Sequence, residues 1–367
     1  MQQNSIYKKA LYLAVPMMIQ NGITNAVSLV DNLMVGSLGT EKMTAVSIAG
    51  QLFFVFFLAV FGGLSGPGIY SAQYFGQGNK EGYQKIFRLK VWITALLTVV
   101  GVIVFLVGGE WLIGLYLKGS GGNLDAGLTL ESALSYLRIM LIGLVPFAIT
   151  QIYAGSLREM GESMKPMLAG LVSVVVDIVF NYFLIYGKFG FPRLEVKGAA
   201  IATVMARFAE MFVVIIWTHV EIEKYSFLKN VYRTLRISLQ EMMPVIIKGL
   251  PIFFNEFLWA GGMAVLTQCY SMKGLEVIAG LNISNAICNL LNVVFIAMGN
   301  AVGIIMGQFL GASKFEEAKK NANKLMWFTA MLCVGLTVIL IILSGVFPRA
   351  YNTTDEIRNL GRWFIII

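Results

Sequence analysis

Three carboxylates lie inside long apolar segments of the sequence, where an ionised side chain is costly. They are Asp31, Asp177, which is embedded in VVVDIVFNYFLIYG at 174–187, and Glu256. An isolated carboxylate at mid-membrane depth costs about 3 kcal/mol or more, so each must be paired, protonated or solvated. Such groups can exchange protons with the medium or bind a cation, which makes them candidates for ion coupling.

A stripe of polar residues leads up to Asp31. Asn21, Thr24, Ser28 and Asp31 are spaced by 3, 4 and 3 residues, which places them on one face of an α-helix. Inside a membrane span this face should meet another helix or a water-filled cavity rather than lipid. Two interpretations of Asp31 stay open. It is either an interfacial carboxylate near the outer end of its helix or a lining residue of an outward-opening cavity.

The second candidate group is Asp177 with Asn181, one helical turn further along the chain. A protonated Asp177 that hydrogen-bonds a neighbouring helix without functional effect is the alternative to a coupling role. The next apolar segment carries Arg207 and Glu210 three residues apart, and this spacing predicts mutual neutralisation.

Amide side chains form a similar stripe later in the chain. Asn282, Asn285, Asn289 and Asn292 follow steps of 3, 4 and 3 residues, which indicates either an uncharged wet lining or a hydrogen-bonded ladder between helices. We predict a cation-coupling set of Asp31, Asp177, Asn181 and Glu256. The predicted substrate cavity comprises Asn21, Thr24, Ser28, Gln51, Tyr136, Asn282, Asn285 and Asn289, in which Tyr136 offers a ring face to a cation.

The composition identifies the elements that must position these residues. With 57% hydrophobic and 13% charged residues and a mean hydropathy of +0.74, the chain is predicted to be an all-α polytopic membrane protein. Runs long enough to span a bilayer lie at about 11–37, 45–72, 91–109, 132–156, 166–186, 198–219, 245–270, 277–307 and 326–347. A tenth begins near Arg358 and stops at the last residue.

The sequence contains an internal repeat. Residues 11–90 align without gaps to 246–325 with eleven identities in eighty positions, including Pro16 with Pro251 and Gly76 with Gly311. Repeated apolar segments are typical of transporters built from two related halves. We therefore predict an N-terminal helical lobe at 1–222, a basic linker at 223–242 and a C-terminal lobe at 243–367. The second bundle is expected to be incomplete.

The charge distribution argues against nucleic acid as a partner. The formal net charge is +8, but the basic residues fall in alternate short connections rather than along one face. They predict a cytoplasmic N-terminus, with Lys90 counted among the inner connections and a loop carrying Lys188 and Arg193 as an exception. The first apolar run follows Lys8 and is predicted to be an uncleaved span.

No metal site, redox site or cofactor is predicted. The three cysteines, Cys269, Cys288 and Cys333, lie in apolar runs without metal-type or redox-type spacing. Hydrolysis or acyl transfer within a membrane would need a nucleophile with a base, or a metal cluster. His219 is the single histidine, so a membrane-embedded enzyme is disfavoured.

Four segments together resemble the multidrug and toxic compound extrusion (MATE) family. They are VDNLMVGSLG at 30–39, GPGIYSAQYFGQGN at 66–79, SLREMGESMKP at 156–166 and GAAIAT at 198–203. The resemblance implies twelve helices in two six-helix lobes around a central cleft. It also implies antiport of organic cations against protons or sodium ions by rocking between inward-open and outward-open states.

The resemblance also suggests roles for individual residues. Asp31 matches the ion-coupling acid of the first helix, and Glu256 lies on the seventh helix, where one group of the family has a sodium-linked glutamate. Some members place an asparagine one turn before an aspartate on the fifth helix, whereas here Asp177 precedes Asn181.

The predicted function is a secondary active exporter of organic cations in the cell membrane. We expect small cationic substrates, contact with the lipid bilayer and a monomeric chain. A lipid-linked precursor flippase of the same superfamily is one alternative, although its cleft should be basic to hold pyrophosphate, while the buried charges placed here are mainly acidic. A channel is another, but the two-half repeat favours alternating access.

Overall fold

The computed structural model describes residues 3–117, 125–271, 275–350 and 354–366. The helices in these residues are α1 (Gln3–Gly36), α2 (Thr40–Gln77), α3 (Lys80–Leu117), α4 (Ala126–Glu159), α5 (Met164–Tyr186), α6 (Glu195–Val220), α7 (Leu239–Ser271), α8 (Leu275–Gly311), α9 (Phe315–Ser344) and α10 (Asp355–Ile366). Short 3-10 helices lie at Val231–Arg233 and Phe347–Ala350.

Nine of these described helices, α1 to α9, are long and apolar enough to cross a membrane. Each coincides with one of the apolar runs predicted from the sequence, because a span needs about 20 mostly apolar residues. The prediction of an all-α polytopic membrane protein is therefore confirmed.

We refer to α1–α6 as the first lobe and to α7–α10 as the second lobe. The first lobe has a core shared by α2, α4 and α6. Phe53 and Phe56 of α2 and Leu144 of α4 are buried in this core. The helix α6 contributes the small residues Ala199 and Ala200, which allow close approach of helix backbones. The helix α1 packs along α5 at the edge of this lobe and along α8 of the second lobe.

The internal repeat is visible in the helix boundaries. Shifted by the repeat offset of 235 residues, α1 and α2 superimpose on α7 and α8 to within a few residues at each end. The lobes meet where α2 crosses α8 and α7. At the first crossing, an added Cβ at Gly76 would lie 2.0 Å from the Gln308 carbonyl oxygen, and one at Gly311 would lie 1.9 Å from the Gln73 carbonyl oxygen. Gly76 and Gly311 are repeat equivalents, so the contact is nearly symmetric.

The linker between the lobes is bound to the first lobe. Tyr225 and Leu228 are buried in a cluster with residues of α3 and α4, and the Arg88 side chain donates a hydrogen bond to the Val231 carbonyl oxygen at 2.9 Å. We call the side of the molecule on which this segment lies the linker side. The crossing of α2 and α8 at Gly76 and Gly311 lies at the same side, since both helices end there.

Candidate functional site

Two of the predicted coupling carboxylates are neighbours in the interior of the first lobe. The Asn181 side-chain amide on α5 donates to the Asp31 carboxylate on α1 at 2.8 Å and to the Asp177 carboxylate at 3.3 Å. Asp177 and Asn181 share a helix face because they are one turn apart, and α1 packs against that face. The fold thus brings together three of the four residues predicted for cation coupling.

Asp31 and Asp177, which we call the acid pair, and the neighbouring Asn181 include polar atoms without a hydrogen-bond partner. Asp177 and Asn181 are 6% and 1% exposed. Among the described residues, Asp177 Oδ1 and Asn181 Oδ1 are buried without a hydrogen-bond partner. Buried oxygens of this kind are costly unless a donor or a cation meets them. Two adjacent carboxyl groups can hydrogen-bond each other only when one of them is protonated, so the site is suited to bind a proton or a small cation.

Two further groups complete the surroundings of this site. Thr203 on α6 lies beside Asp177 and beside Tyr136 on α4. Tyr136, predicted as a cavity residue, is buried at 9% exposure. Thr203 was not among the residues predicted from the sequence. Its signal was the spacing of Thr203, Arg207 and Glu210, which puts three polar residues on one face of an otherwise apolar helix.

The remaining predicted residues of the first helix take a different position. Thr24 and Ser28 are exposed, and their hydroxyls donate to carbonyl oxygens of the preceding turn, at 2.9 and 3.1 Å. Asn21 of α1 is half-buried, and Gln51, the predicted cavity residue on α2, is exposed. These side chains therefore do not join the hydrogen-bonded group around Asp31.

Residues predicted in the second half lie apart from the acid pair. Glu256 packs against α2 of the first lobe, where an added Cβ at Gly62 would be 3.4 Å from Glu256 Cγ. No described residue forms a hydrogen bond with its carboxylate. Asn285 and Asn289 are exposed on α8, and the side chain of Asn282 lies outside the described residues.

A second group of charges is buried toward the linker side. Lys90, which the charge pattern had assigned to an inner connection, lies inside α3 at 1% exposure and forms an ion pair with Glu159 of α4. Lys90 therefore does not lie in a connection, and its ammonium is compensated within the lobe, by Glu159 and by Ser156 Oγ at 3.4 Å. An uncompensated charge could not remain buried there.

This second group also connects the two lobes. The Gln308 side chain of α8 donates to the Glu159 carbonyl oxygen at 2.7 Å, and Lys9 of α1 donates to Gln308 Oε1 at 2.9 Å. Within the first lobe, Arg158 Nη2 of α4 donates to Gln20 Oε1 of α1 at 2.8 Å. The polar contacts and the symmetric glycine crossing together close the linker side between the lobes.

Comparison with known proteins agrees with the sequence resemblance. The MatE family model matches residues 16–183 and 251–367. The chain is 24% identical over 365 residues to the probable multidrug resistance protein YoeA of Bacillus subtilis, covering 99% of this chain and 77% of that protein. It is 26% identical over 350 residues to the probable multidrug resistance protein NorM of Synechocystis, covering 94% of this chain and 71% of that protein.

A solved structure, a MATE protein in the bent conformation, has the same fold. It superimposes with a TM-score of 0.81 at 22% identity, covering 98% of this chain and 79% of that one. The relatives and the structural neighbour are transporters, which confirms the prediction that the protein is not an enzyme. The chain belongs to the MatE, or multidrug and toxic compound extrusion, family.

Proposed function

We propose that this protein is a secondary active antiporter that exports organic cations in exchange for protons or sodium ions. The observation that carries the proposal is the bridging of Asp31 and Asp177 by the Asn181 amide in the interior of the first lobe. The names of its relatives, which describe multidrug resistance proteins, support export of drug-like substrates.

Exchange follows from competition for the same negative charge. A proton or a sodium ion bound between the two carboxylates removes the charge that would hold a cationic substrate. Each ligand moves the equilibrium between two conformations only through its different affinity for each of them. The ring of Tyr136 beside the acid pair supplies a further surface for an organic cation.

The proposed transport cycle starts from a state closed at the linker side. We take that side as cytoplasmic, with the N-terminus inside, in a cell-membrane protein that acts as a monomer without a cofactor. The α2–α8 crossing and the Lys9–Gln308 contact would then form the inner closure, and a substrate at Asp31 would leave toward the outside. Glu256, at the contact between α2 and α7, is kept as a second ion-coupling candidate.

The flippase alternative is less well supported. A pyrophosphate would be repelled by the negative charge of this acid pair, and Asp177 Oδ1, which has no hydrogen-bond partner among the described residues, is an acceptor and cannot donate to a phosphate oxygen. A binding site for such a substrate would need a cluster of basic groups in place of Asp31 and Asp177.

Efflux from proteoliposomes tests the proposal. A fluorescent organic cation is loaded, and proton and sodium gradients are imposed separately. We expect one of the two gradients to drive transport in the wild type and Asp31→Asn to abolish it, since the amide cannot release a proton or neutralise a cation. The matched control is Asp355→Asn, which changes a carboxylate that is 91% exposed on α10. Gradient-driven efflux by Asp31→Asn at the wild-type rate would remove Asp31 from the mechanism.

A further inference from the structure

One connection of the first lobe concentrates positive charge on the side opposite the linker side. Residues 187–197, which we call the α5–α6 segment, join these two helices. The segment carries three basic residues and one acidic residue, namely Lys188, Arg193, Lys197 and Glu195. The other two connections of this lobe on that side have no net charge, since 37–39 has no charged residue and 118–125 has one lysine and one aspartate. The tendency of basic residues to lie on the cytoplasmic side therefore does not account for this segment.

The backbone of the α5–α6 segment forms a closed loop. The Leu194 amide donates to the Leu184 carbonyl oxygen at 2.8 Å, and an added Cβ at Gly187 would lie 2.9 Å from the backbone nitrogen of Arg193. The loop therefore leaves and returns at the end of α5. Within it, Phe189 has a φ of 56°, a left-handed conformation that is unfavourable for a residue with a Cβ.

The loop presents an apolar ring at the edge of the membrane. Phe189 is 81% exposed, yet its ring centre lies 5.1 Å from that of Phe183, which is inside the apolar run at 166–186. Phe191 stacks on the same ring, with centres 5.5 Å apart. Because Phe183 lies one turn from the end of α5, the ring of Phe189 is at the boundary between the hydrocarbon and the headgroups. Acyl chains would bury this ring, whereas water would leave a strained residue with its phenyl group exposed.

The basic side chains of the segment are available to an anion. Lys188 and Lys197 are exposed, and among the residues that the structure describes their ammonium groups form no ion pair or hydrogen bond. Arg193 is 62% exposed and has a loose contact with Glu195 at 3.4 Å. Glu195 also forms an ion pair with Lys42 of α2. One carboxylate thus meets two cations, and the segment keeps an excess of positive charge at the level of the headgroups.

We propose that the α5–α6 segment is a binding site for an anionic phospholipid in the leaflet opposite the linker side. The ring of Phe189 lies among the acyl chains, and Lys188 and Lys197 donate to the phosphate oxygens. The apolar ring beside the basic groups favours a lipid over a soluble anion, which would leave the ring in water. A headgroup with net negative charge is preferred because a zwitterionic headgroup carries a cation that the basic segment repels. This inference concerns contact with the bilayer and does not depend on the export function.

Quenching of a fluorescent label tests both parts of the proposal. Bimane is attached to Phe189→Cys after replacement of the native cysteines, and the protein is reconstituted with doxyl-labelled phosphatidylglycerol or phosphatidylcholine of identical acyl chains. We expect both lipids to quench the label strongly and acrylamide, a neutral quencher in water, to quench it weakly. Phosphatidylglycerol should bind near the label at least about 5-fold more tightly than phosphatidylcholine, which is the contribution of one basic residue at an anionic surface.

Variants of the exposed lysines test the role of charge. Lys188→Gln and Lys197→Gln should each lower the preference for phosphatidylglycerol, and the double variant should bind the two lipids about equally. Lys188→Arg should retain the preference. The matched control, Arg236→Gln, removes an exposed arginine on the linker side and should change nothing. A label at Val107→Cys, which is 83% exposed on α3, should report no preference between the lipids.

Three results would overturn the site. Stronger quenching by acrylamide than by the lipids at position 189 would place the loop in water. Equal binding of the two lipids by protein that retains both lysines, or an unchanged preference in Lys188→Gln/Lys197→Gln, would show that these lysines do not select an anionic lipid. Native mass spectrometry excludes an effect of the label, since the unlabelled double variant should retain fewer phosphatidylglycerol molecules than the wild type. Equal retention would also contradict the proposal.

Discussion

The glycines at the crossing of α2 and α8 should control which side of the transporter is closed. In the structure, a methyl group on Gly76 would lie 2.0 Å from the Gln308 carbonyl oxygen, and one on Gly311 would lie 1.9 Å from the Gln73 carbonyl oxygen. An ordinary carbon–oxygen contact is about 3.3 Å, so Gly76→Ala or Gly311→Ala forces the two backbones apart by about 1.3 Å.

The cost of this change falls on one conformation. Overpacking of a tight contact costs about 1–3 kcal/mol. The gain in helix propensity from glycine to alanine is the same in both conformations, since α2 and α8 remain helical, and it cancels. The ratio of molecules closed at the linker side to molecules open there should therefore fall by about 5- to 150-fold.

The ratio of closed to open molecules can be measured from the distance between two spin labels. Labels at Lys80 and Glu317, which are exposed at the linker ends of α3 and α9, are introduced after replacement of the native cysteines. The wild type should show mainly the short distance, and Gly76→Ala should populate a longer one. Efflux should fall in parallel because the cycle has lost its closed inner state.

Gly303→Ala is the matched control for this experiment. It makes the same chemical change on the same helix as Gly311, but an added Cβ there has no neighbour within 4 Å. If Gly76→Ala and Gly311→Ala give the distance distribution of Gly303→Ala, the crossing is not a determinant of closure and the reasoning is refuted.

Three other predictions concern polar contacts. Asn181→Leu removes the amide that donates to both Asp31 and Asp177 and should reduce gradient-driven efflux at least about 10-fold, since a hydrogen bond to a charged group contributes about 1.5–3 kcal/mol. The elution volume of the detergent-solubilised variant in size-exclusion chromatography should be unchanged. Lys90→Met leaves Glu159 buried without its cation and should destabilise the lobe by about 3–5 kcal/mol in thermal unfolding, with recovery in the double variant Lys90→Met/Glu159→Leu. A hydrogen bond from Lys165 lowers the pKa of Glu221. Packing of the neighbouring linker against the first lobe should therefore persist above about pH 4 and weaken as the pH falls through the lowered folded-state pKa of Glu221. Oxidative footprinting of the buried Tyr225 measures this packing.

Each of these predictions has its own contradicting result. Wild-type efflux in Asn181→Leu would show that the acid pair works without a shared donor. An unchanged unfolding temperature in Lys90→Met would mean that water solvates the Glu159 carboxylate. For the linker, Glu221→Gln should abolish the acid-dependent exposure of Tyr225, and the same pH response in that variant would assign the effect to another group.

The helices were predictable from the sequence because hydropathy and length decide whether a segment can span a membrane. The proximity of Asp177 to Asn181 could also be predicted, since it depends only on the helical period. The repeat alignment of Gly76 with Gly311 correctly indicated equivalent helices. It could not show that these two glycines contact each other's helix, because that depends on how the lobes dock.

The position of Asp31 beside Asn181 was not predictable in the same way. It requires α1 to pack on α5 rather than on α4 or α6, and local spacing contains no information about that choice. The burial of Lys90 was also not predictable from the local sequence. Its place just before the apolar run at 91–109 indicated a connection, and only the contact with Glu159, 69 residues away, explains why the ammonium is buried.

The helix α1 links the acid pair to the contact between the lobes. At one end Asp31 accepts from Asn181, and at the other Lys9 donates to Gln308 of α8. Between them, Leu13 and Ala14 are fully buried in a cluster that includes Ala301 of α8. A change in charge at Asp31 alters the free energy with which α1 binds α5, and the same helix forms part of the interface with α8. In the proposed mechanism, ion binding would therefore act on inter-lobe closure through α1, without any contact between the acid pair and the α2–α8 crossing, because packed helices with two discrete arrangements transmit such differences.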